Sequence, residues 1–128
     1  MQRKVLIVDD SHMIRRIVGK ILKEENFEVL IAENGLMGCE MARKSQPDLV
    51  IMDVEMPVMN GIEATRRIRS DSSTTHIPVL IFTSLGSEND IRMAKEAGGS
   101  GFLNKPISKE DLRATISSIL GPGNQGSS

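Results

Sequence analysis

The stretch Val5-Leu6-Ile7-Val8-Asp9-Asp10 is the part of the sequence that decides the fold. Four consecutive apolar residues, three of them β-branched, are followed at once by two acids. An apolar run that does not alternate with polar residues is typical of a strand buried on both faces, as in a parallel sheet. The stretch therefore predicts a central strand that carries two carboxylates at its carboxyl end.

Similar strand signals recur along the chain, with helical patterns between them. The other apolar runs are Val29–Ile31, Leu49–Met52, Val79–Phe82 and a weaker Gly101–Leu103. The helical patterns are Ile14–Leu22, Met37–Ala42, Ile62–Ile68, Ile91–Ala97 and Leu112–Leu120. Spacings of three and four residues give the first of these a single apolar stripe. The alternation predicts an α/β fold of the (βα)5 type, in which helices cover both faces of a five-stranded parallel sheet.

The boundaries of the domain and of its helices also have sequence signals. Residues 1–120 are expected to form one domain, and 121–128 have the Gly, Ser and Pro composition of a flexible tail or of the start of a linker. Ser108 followed by Asp111 resembles a capping box, which would begin the last helix. The arginines of the third helix (Arg66, Arg67 and Arg69) are expected on a solvated face.

Composition excludes several function classes. The formal net charge is −1, and phenylalanines are the only aromatic residues, so neither a basic patch nor a base-stacking surface is expected. No apolar stretch approaches the length of a membrane span or of a secretory leader. Cys39 is the only cysteine, which fits buried packing in a reducing, cytoplasmic environment. We therefore expect neither nucleic acid nor membrane among the partners of this domain.

Five polar residues stand where the predicted strands end. Asp9 and Asp10 follow the first strand, Asp53 follows the third, Thr83 the fourth and Lys105 the fifth. Each alone has an ordinary explanation, such as a helix cap, a turn or a surface charge. In an open parallel sheet, however, the carboxyl ends of the strands share one edge, and ligands bind there. The sequence predicts that these side chains converge at that edge.

This combination of three acids, a hydroxyl and an ammonium group has a coherent chemistry. Clustered carboxylates repel one another and favour a cation, and hard oxygen ligands select Mg²⁺ or Mn²⁺. Zinc is not expected because no His or Cys stands at a strand end. A carboxylate beside such a metal can attack phosphorus and form an aspartyl phosphate, while the hydroxyl and the ammonium group bind phosphoryl oxygens.

Three segments carry a family resemblance. The segments 8–11 (Val-Asp-Asp-Ser), 53–61 (Asp-Val-Glu-Met-Pro-Val-Met-Asn-Gly) and 102–106 (Phe-Leu-Asn-Lys-Pro) resemble the signature segments of response-regulator receiver domains in two-component signalling, the chemotaxis receiver among them. The resemblance covers about residues 3–120. It implies a flavodoxin-like fold with strand order 2-1-3-4-5. The implied function is a phosphorylation-dependent signalling switch, a phosphoprotein that is not an enzyme beyond its own phosphorylation and dephosphorylation.

The same resemblance implies the metal ligands and the phosphoacceptor. Asp53 would be the phosphoacceptor and would also contact Mg²⁺, for which Mn²⁺ could substitute. Asp10 would ligate the metal directly, and Asp9 mainly through water. The backbone carbonyl of Glu55 would supply a further ligand.

The resemblance also implies how the phosphoryl group is bound and detected. Thr83 would hydrogen-bond the phosphoryl group, and Lys105 would form its ion pair and precede a cis Pro106. Phosphorylation would draw Thr83 inward and let Phe102 rotate, which changes the surface of helix 4, strand 5 and helix 5. Plain packing of Phe102 in its strand is the alternative.

Two further positions and the partners follow from the resemblance. Glu55 and Leu85 correspond to positions that tune the lifetime of the phosphoryl group, and these two side chains suggest slow hydrolysis. The phosphoryl donor would be a histidine kinase, a phosphotransfer protein or a small acyl phosphate. A downstream protein or a fused output domain would detect the phosphorylated state, and the domain would be a monomer or a phosphorylation-dependent dimer.

Three other interpretations stay open at this point. A haloacid-dehalogenase-like phosphatase shares an Asp nucleophile, Mg²⁺, a Ser or Thr and a Lys, but has its nucleophile near the start of the chain. A flavodoxin-like nucleotide-binding module would need a phosphate cradle where this sequence has Asp9-Asp10-Ser11. A receiver that no longer becomes phosphorylated would lack one of the five strand-end residues, and all five are present.

Overall fold

The computed structural model describes residues 2–121, which form one parallel sheet flanked by helices. The strands are β1 (Lys4–Val8), β2 (Glu28–Ala32), β3 (Leu49–Met52), β4 (Val79–Thr83) and β5 (Gly101–Asn104). The helices are α1 (His12–Glu24), α2 (Gly35–Ser45), α3 (Gly61–Ser70), α4 (Glu88–Glu96) and α5 (Lys109–Leu120). Each predicted apolar run overlaps its strand, and each helical pattern overlaps its helix. The expected tail lies outside the described residues, apart from Gly121. None of the helices within residues 2–121 is long and apolar enough to cross a bilayer.

The strand order is β2-β1-β3-β4-β5, with every neighbouring pair parallel. Val5 and Ile7 turn to one face of the sheet and pack with α1 and α5, whereas Leu6 and Val8 turn to the other face and pack with α2, α3 and α4. Apolar residues on both faces of the central strands are the physical reason for the unbroken runs in the sequence. The predicted flavodoxin-like fold and strand order are confirmed.

The strand order places a crevice between the carboxyl ends of β1 and β3. These two strands are neighbours in the sheet, and the Asp53 N–H donates a hydrogen bond to the Val8 carbonyl over 2.9 Å. From β1 the chain continues into α1 on one face, while β3 leads to α3 on the opposite face. The two connections diverge, which leaves open the edge at which α/β proteins bind ligands.

Helix capping agrees in part with the sequence signals. Ser108 is the N-cap of α5, and its Oγ accepts a hydrogen bond from the Asp111 N–H over 3.2 Å. The reciprocal bond that completes a capping box forms instead at α4, where the Asp90 carboxylate accepts from the Ser87 N–H. The predicted start of α5 is confirmed, but the full capping box belongs to the preceding helix.

The prediction of a solvated arginine face is wrong for one of its three members. Arg66 and Arg67 are exposed, but Arg69 is partly buried. Its Nε donates to the Gly98 carbonyl over 2.9 Å, and its Nη1 donates to the Ile77 carbonyl over 2.6 Å. Both carbonyls belong to connections that are distant in sequence from Arg69, so helical periodicity could not indicate them. Arg69 fastens the end of α4 to the segment that enters β4.

The loop between β3 and α3 contains a strained turn at Val58. The φ angle of this residue is 70°, and the Met59 N–H donates to the Pro57 carbonyl over 2.7 Å. This is a γ-turn with positive φ, a strained conformation that is uncommon for a β-branched residue. The side chain is 75% exposed, so its packing offsets little of that strain. The loop therefore stores strain next to the crevice.

We expect Val58→Asn to raise the free energy of unfolding by about 1 kcal/mol, because asparagine tolerates positive φ better than a β-branched residue does. Val58→Ala is the matched control, since it removes the β-branch but keeps a residue that disfavours positive φ. Urea unfolding followed by circular dichroism suits a chain with no Trp or Tyr. An asparagine variant no more stable than the alanine variant would contradict strain at this position.

Candidate functional site

Three carboxylates meet at the crevice between β1 and β3. Asp9 and Asp10 follow β1, Asp53 follows β3, and one carboxylate oxygen from each lies within 4.8 Å of the others. Asp9 and Asp53 are buried, whereas Asp10 is exposed. The parallel pairing of β1 with β3 brings these acids together, as the sequence predicted.

The two acids that follow β1 differ in their bonding. Asp9 Oδ1 accepts from the Ser11 N–H over 2.9 Å, and Asp9 Oδ2 accepts from Lys105 Nζ over 2.8 Å. The Asp9 carbonyl accepts from Arg15 Nη1 over 2.7 Å, a contact for which the sequence offered no signal. The Asp10 carboxylate has no hydrogen bond or ion pair within residues 2–121. Asp10 is therefore the acid with both oxygens available to a ligand.

Asp53 is held in place at the floor of the crevice. Its Oδ1 accepts from the Val54 N–H over 2.9 Å, and Lys105 Nζ lies 3.5 Å from the same oxygen. Burial and, after it, the neighbouring Asp9 carboxylate raise the pKa of the Asp53 carboxyl above its ordinary value. The Lys105 ammonium, the Val54 N–H and the Thr83 hydroxyl act on the Asp53 pKa in the opposite direction. The pKa of Asp53 rises overall because these favourable contacts do not fully offset the cost of burying its negative charge beside Asp9.

Lys105 extends across the crevice from the end of β5. Its ammonium group bridges Asp9 and Asp53, and it also lies 5.6 Å from the centre of the Phe82 ring. The peptide bond between Lys105 and Pro106 is cis, as the family resemblance implied. The ammonium is mostly buried and lies between the Asp9 and Asp53 carboxylates, so it partly offsets the negative charge of the crevice.

Thr83 ends β4 and is fully buried beside the crevice. Its Oγ1 accepts from the Leu85 N–H over 3.3 Å. Asn104 Nδ2 donates to the Leu85 carbonyl over 2.7 Å and so ties the segment after β4 to the end of β5. Sequence reasoning missed Asn104, although its place beside Lys105 at the end of a strand was the same kind of signal that identified the other site residues.

A cavity of 240 Å³ adjoins Thr83. Phe102 on β5, Leu85 after β4 and Met93 on α4 are among the residues that line it. The Phe102 side chain is partly buried and also packs against the core on that face. Thr83 and Phe102 therefore line the same cavity.

The loop after Asp53 folds tightly back over the end of β3. The Gly61 N–H donates to the Val54 carbonyl over 2.9 Å, and a Cβ on Gly61 would lie 1.9 Å from the Asp53 carbonyl oxygen. Only glycine allows this approach. Glu55 lies in the same loop with its side chain exposed. Packing against the backbone of Asp53 therefore explains why the segment 53–61 ends in a glycine.

The donor set fits a hard divalent cation. Three carboxylates whose oxygens approach this closely, with a single ammonium between two of them, leave net negative charge in the crevice. Carboxylate oxygens are the ligands that Mg²⁺ prefers, and the exposed Asp10 leaves room for water on the metal. The acidic cluster is compatible with Mg²⁺ binding.

Comparisons with known proteins agree on one family. The model of the response regulator receiver domain matches residues 5–117. The chain is 41% identical over 121 residues to the chemotaxis protein CheY of Halobacterium salinarum, covering 94% of this chain and 98% of that protein. It is 40% identical over 117 residues to Protein PilH of Pseudomonas aeruginosa, covering 91% and 97%. The structure of chemotaxis protein CheY4 of Vibrio cholerae matches with a TM-score of 0.89 at 36% identity, covering 94% of this chain and all of that one.

Proposed function

This chain belongs to the response regulator receiver domain family, and from that premise we propose that Asp53 accepts a phosphoryl group in a reaction supported by Mg²⁺. Receiver domains are phospho-signalling switches rather than metabolic enzymes, so their function is the change between an unphosphorylated and a phosphorylated form. The observation that carries the proposal is the buried Asp53 carboxylate, next to two further acids and a bridging Lys105. Asp10, Asp53 and the backbone carbonyl of Glu55 would hold the metal directly, with Asp9 acting through water.

Each residue of the crevice has a defined role in this transfer. An Asp53 carboxylate oxygen attacks phosphorus and forms a new P–O bond, while the bond from phosphorus to the donor breaks and the leaving group takes its electron pair. Lys105 and the Thr83 hydroxyl bind two of the phosphoryl oxygens. Mg²⁺ bound at the acids would neutralise negative charge on the phosphoryl group. The chain thereby catalyses its own phosphorylation. In its dephosphorylation, water attacks phosphorus, the bond from phosphorus to Asp53 breaks, and the Asp53 carboxylate leaves with the electron pair.

The partners follow from the same chemistry. The donor would be the phosphorylated histidine of a kinase or of a phosphotransfer protein, or a small acyl phosphate. The phosphorylated state would alter the surface of α4, β5 and α5, which a downstream protein, an output domain or a second copy of the chain would bind. The buried thiol of Cys39, which forms no disulfide, suits a cytoplasmic setting.

Metal-dependent labelling tests the proposal. Incubation with acetyl phosphate and MgCl2 should add the mass of one phosphoryl group to the intact chain, and EDTA should prevent it. MnCl2 should replace MgCl2, because both ions accept the same hard oxygen ligands. Labelling that proceeds equally well in EDTA would contradict the role of the metal.

The switch is tested at Phe102. The cavity that Thr83 and Phe102 line supports a rotation of the ring once Thr83 moves toward a phosphoryl group. Beryllofluoride mimics the phosphoryl group, and it should change the NMR chemical shifts of backbone amides in α4, β5 and α5. In Phe102→Ala we expect these changes to fall by about half or more, because the moving ring is absent. Changes near Asp53 should persist, and Phe102→Tyr, which keeps a ring, should respond like the original chain. An undiminished response of α4, β5 and α5 in Phe102→Ala would refute the aromatic switch.

The lifetime of the phosphoryl group is tested at Leu85 and Glu55. The isobutyl group of Leu85 is partly buried beside the cavity, and Glu55 carries a negative charge in the loop after Asp53. We expect Leu85→Ala and Glu55→Asn to accelerate autodephosphorylation about tenfold, or ~1.4 kcal/mol of barrier, because each variant eases the approach of water. Decay of the phosphorylated mass gives the rate, and Glu40→Asn, an exposed acid on α2, is the control. Unchanged decay in both variants would remove these residues from the hydrolysis step.

A further inference from the structure

A groove between α1 and β2 is not used by the phosphorylation site. It has a volume of 720 Å³ and lies at the open edge of the sheet, because β2 is the outermost strand on that side. One wall is the outer side of α1, and the floor comes from β2.

The helical wall of the groove is positively charged, although the whole chain has a formal charge of −1. Arg16, Lys20 and Lys23 line the groove and are exposed, and none of the three has an ion pair within residues 2–121. The one acid of the lining, Glu24, is already engaged by Lys109 on α5 at 3.2 Å. Within the described part of the chain, the groove therefore presents three cations that are not ion-paired with an acid.

The floor of the groove is apolar and has an open backbone edge. Val29 and Ile31 share the face of β2 that turns toward α1, and Ile31 is 52% exposed. The Glu28 N–H and the Ala32 carbonyl bond to residues of β1 and its flanks. Because successive residues of a strand point their backbone groups to opposite sides, Val29 and Ile31 point theirs to the open edge.

We propose that this groove docks an extended acidic segment of a partner protein, which pairs with β2 as a sixth strand. An extended peptide backbone matches both the N–H and the C=O groups of Val29 and Ile31, whereas the phosphates of a nucleic acid or a lipid surface offer acceptors but no backbone donors for the C=O groups. Arg16 and Lys20 are one helical turn apart, about 6 Å, and alternate residues of a strand are about 6.8 Å apart. An acid at every second position of the segment matches that spacing. This surface is separate from Asp53 and independent of the proposed phosphorylation.

Titration of the full chain with defined peptides tests this surface. The probe is an acetylated, amidated nine-residue peptide that alternates glutamate and threonine. Amide shift changes should map to β2 and to the groove side of α1. Arg16→Glu and Lys20→Glu should each weaken binding at least about tenfold, while Lys44→Glu, an exposed cation on α2, should not. All three variants should still be labelled at Asp53 by acetyl phosphate, which separates this test from that of the phosphorylation site.

Two comparison probes identify the kind of ligand. A peptide of the same sequence with N-methylated backbone amides should bind much more weakly if it pairs with β2. Equal binding of the methylated peptide, or tighter binding of a DNA duplex of similar charge, would overturn strand addition in favour of a general polyanion site. Absence of binding by the unmodified peptide would also overturn the proposal, and the cations would then serve to keep the edge of β2 unpaired.

Discussion

Asp53→Asn is expected to eliminate labelling by acetyl phosphate, with a fall of at least about 1000-fold in the rate of adduct formation. The amide nitrogen of asparagine is not a nucleophile toward phosphorus. Intact-mass measurement with and without Mg²⁺ gives the result. Asp111→Asn, an exposed acid on α5, should be labelled normally, and an adduct of undiminished yield in Asp53→Asn would show that another residue is the phosphoacceptor.

The same variant is expected to be more stable than the original chain in buffer without metal. Burial and Asp9 raise the pKa of Asp53 above its ordinary value of 3.8, so the charged form is disfavoured in the folded state. Below pH 3.8 Asp53 is protonated in both states and the free energy of unfolding is unaffected. As pH rises above that value and through the folded-state pKa, the free energy of unfolding decreases. Asp53→Asn carries no charge and avoids that decrease, so its free energy of unfolding at neutral pH should exceed that of the original chain. Urea unfolding should show the difference at pH 7 and its disappearance in acid.

The convergence of the site was predictable from the sequence because of a simple topological rule. Parallel strands end at one edge, so Asp9, Asp53, Thr83 and Lys105 could be assigned to that edge once the apolar runs were recognised as strands. The runs themselves were clear because the central strands are buried on both faces. For these four residues, position at the end of a predicted strand was sufficient to predict that they lie at the same edge of the sheet.

Which groups bond to one another was not predictable in the same way. Lys105 lies closer to Asp9 than to Asp53, and this depends on how a long flexible side chain crosses the crevice. Arg69 and Asn104 bond to carbonyls of distant connections. Periodicity indicates which face a residue occupies, but it holds no information about which carbonyl lies within reach of a side chain. These contacts depend on the tertiary structure alone.

The hydrogen bonds of the neighbouring acids Asp9 and Asp10 give them different roles: Asp9 is bound within the protein, whereas Asp10 is free to bind a ligand. Asp9 is buried and is fixed by the Ser11 N–H and by Lys105, so it orients Lys105 and holds the loop after β1. Asp10 is exposed and carries neither a hydrogen bond nor an ion pair within the described chain. The two neighbouring acids should therefore respond differently to the same substitution.

Asp10→Asn is expected to lower the affinity for Mg²⁺ about 100-fold, or ~2.7 kcal/mol, with little change in stability. The substitution removes a charged ligand that has no other partner, so the cost is confined to metal binding. Asp9→Asn should affect the metal less and the free energy of unfolding more, because Lys105 loses its closest partner in a mostly buried position. Isothermal titration calorimetry measures the affinities directly, which matters in a chain without tryptophan.

The pair of variants separates two descriptions of the site. If both acids were equivalent metal ligands, the two substitutions would weaken Mg²⁺ binding equally. They would also change the free energy of unfolding by the same amount. If Asp9 mainly positions Lys105, Asp9→Asn should also slow phosphorylation at saturating Mg²⁺, whereas Asp10→Asn should recover toward the original rate as Mg²⁺ is raised. Recovery of both variants at high Mg²⁺ would contradict the positioning role of Asp9, because added metal cannot replace the hydrogen bond that this carboxylate accepts from Lys105.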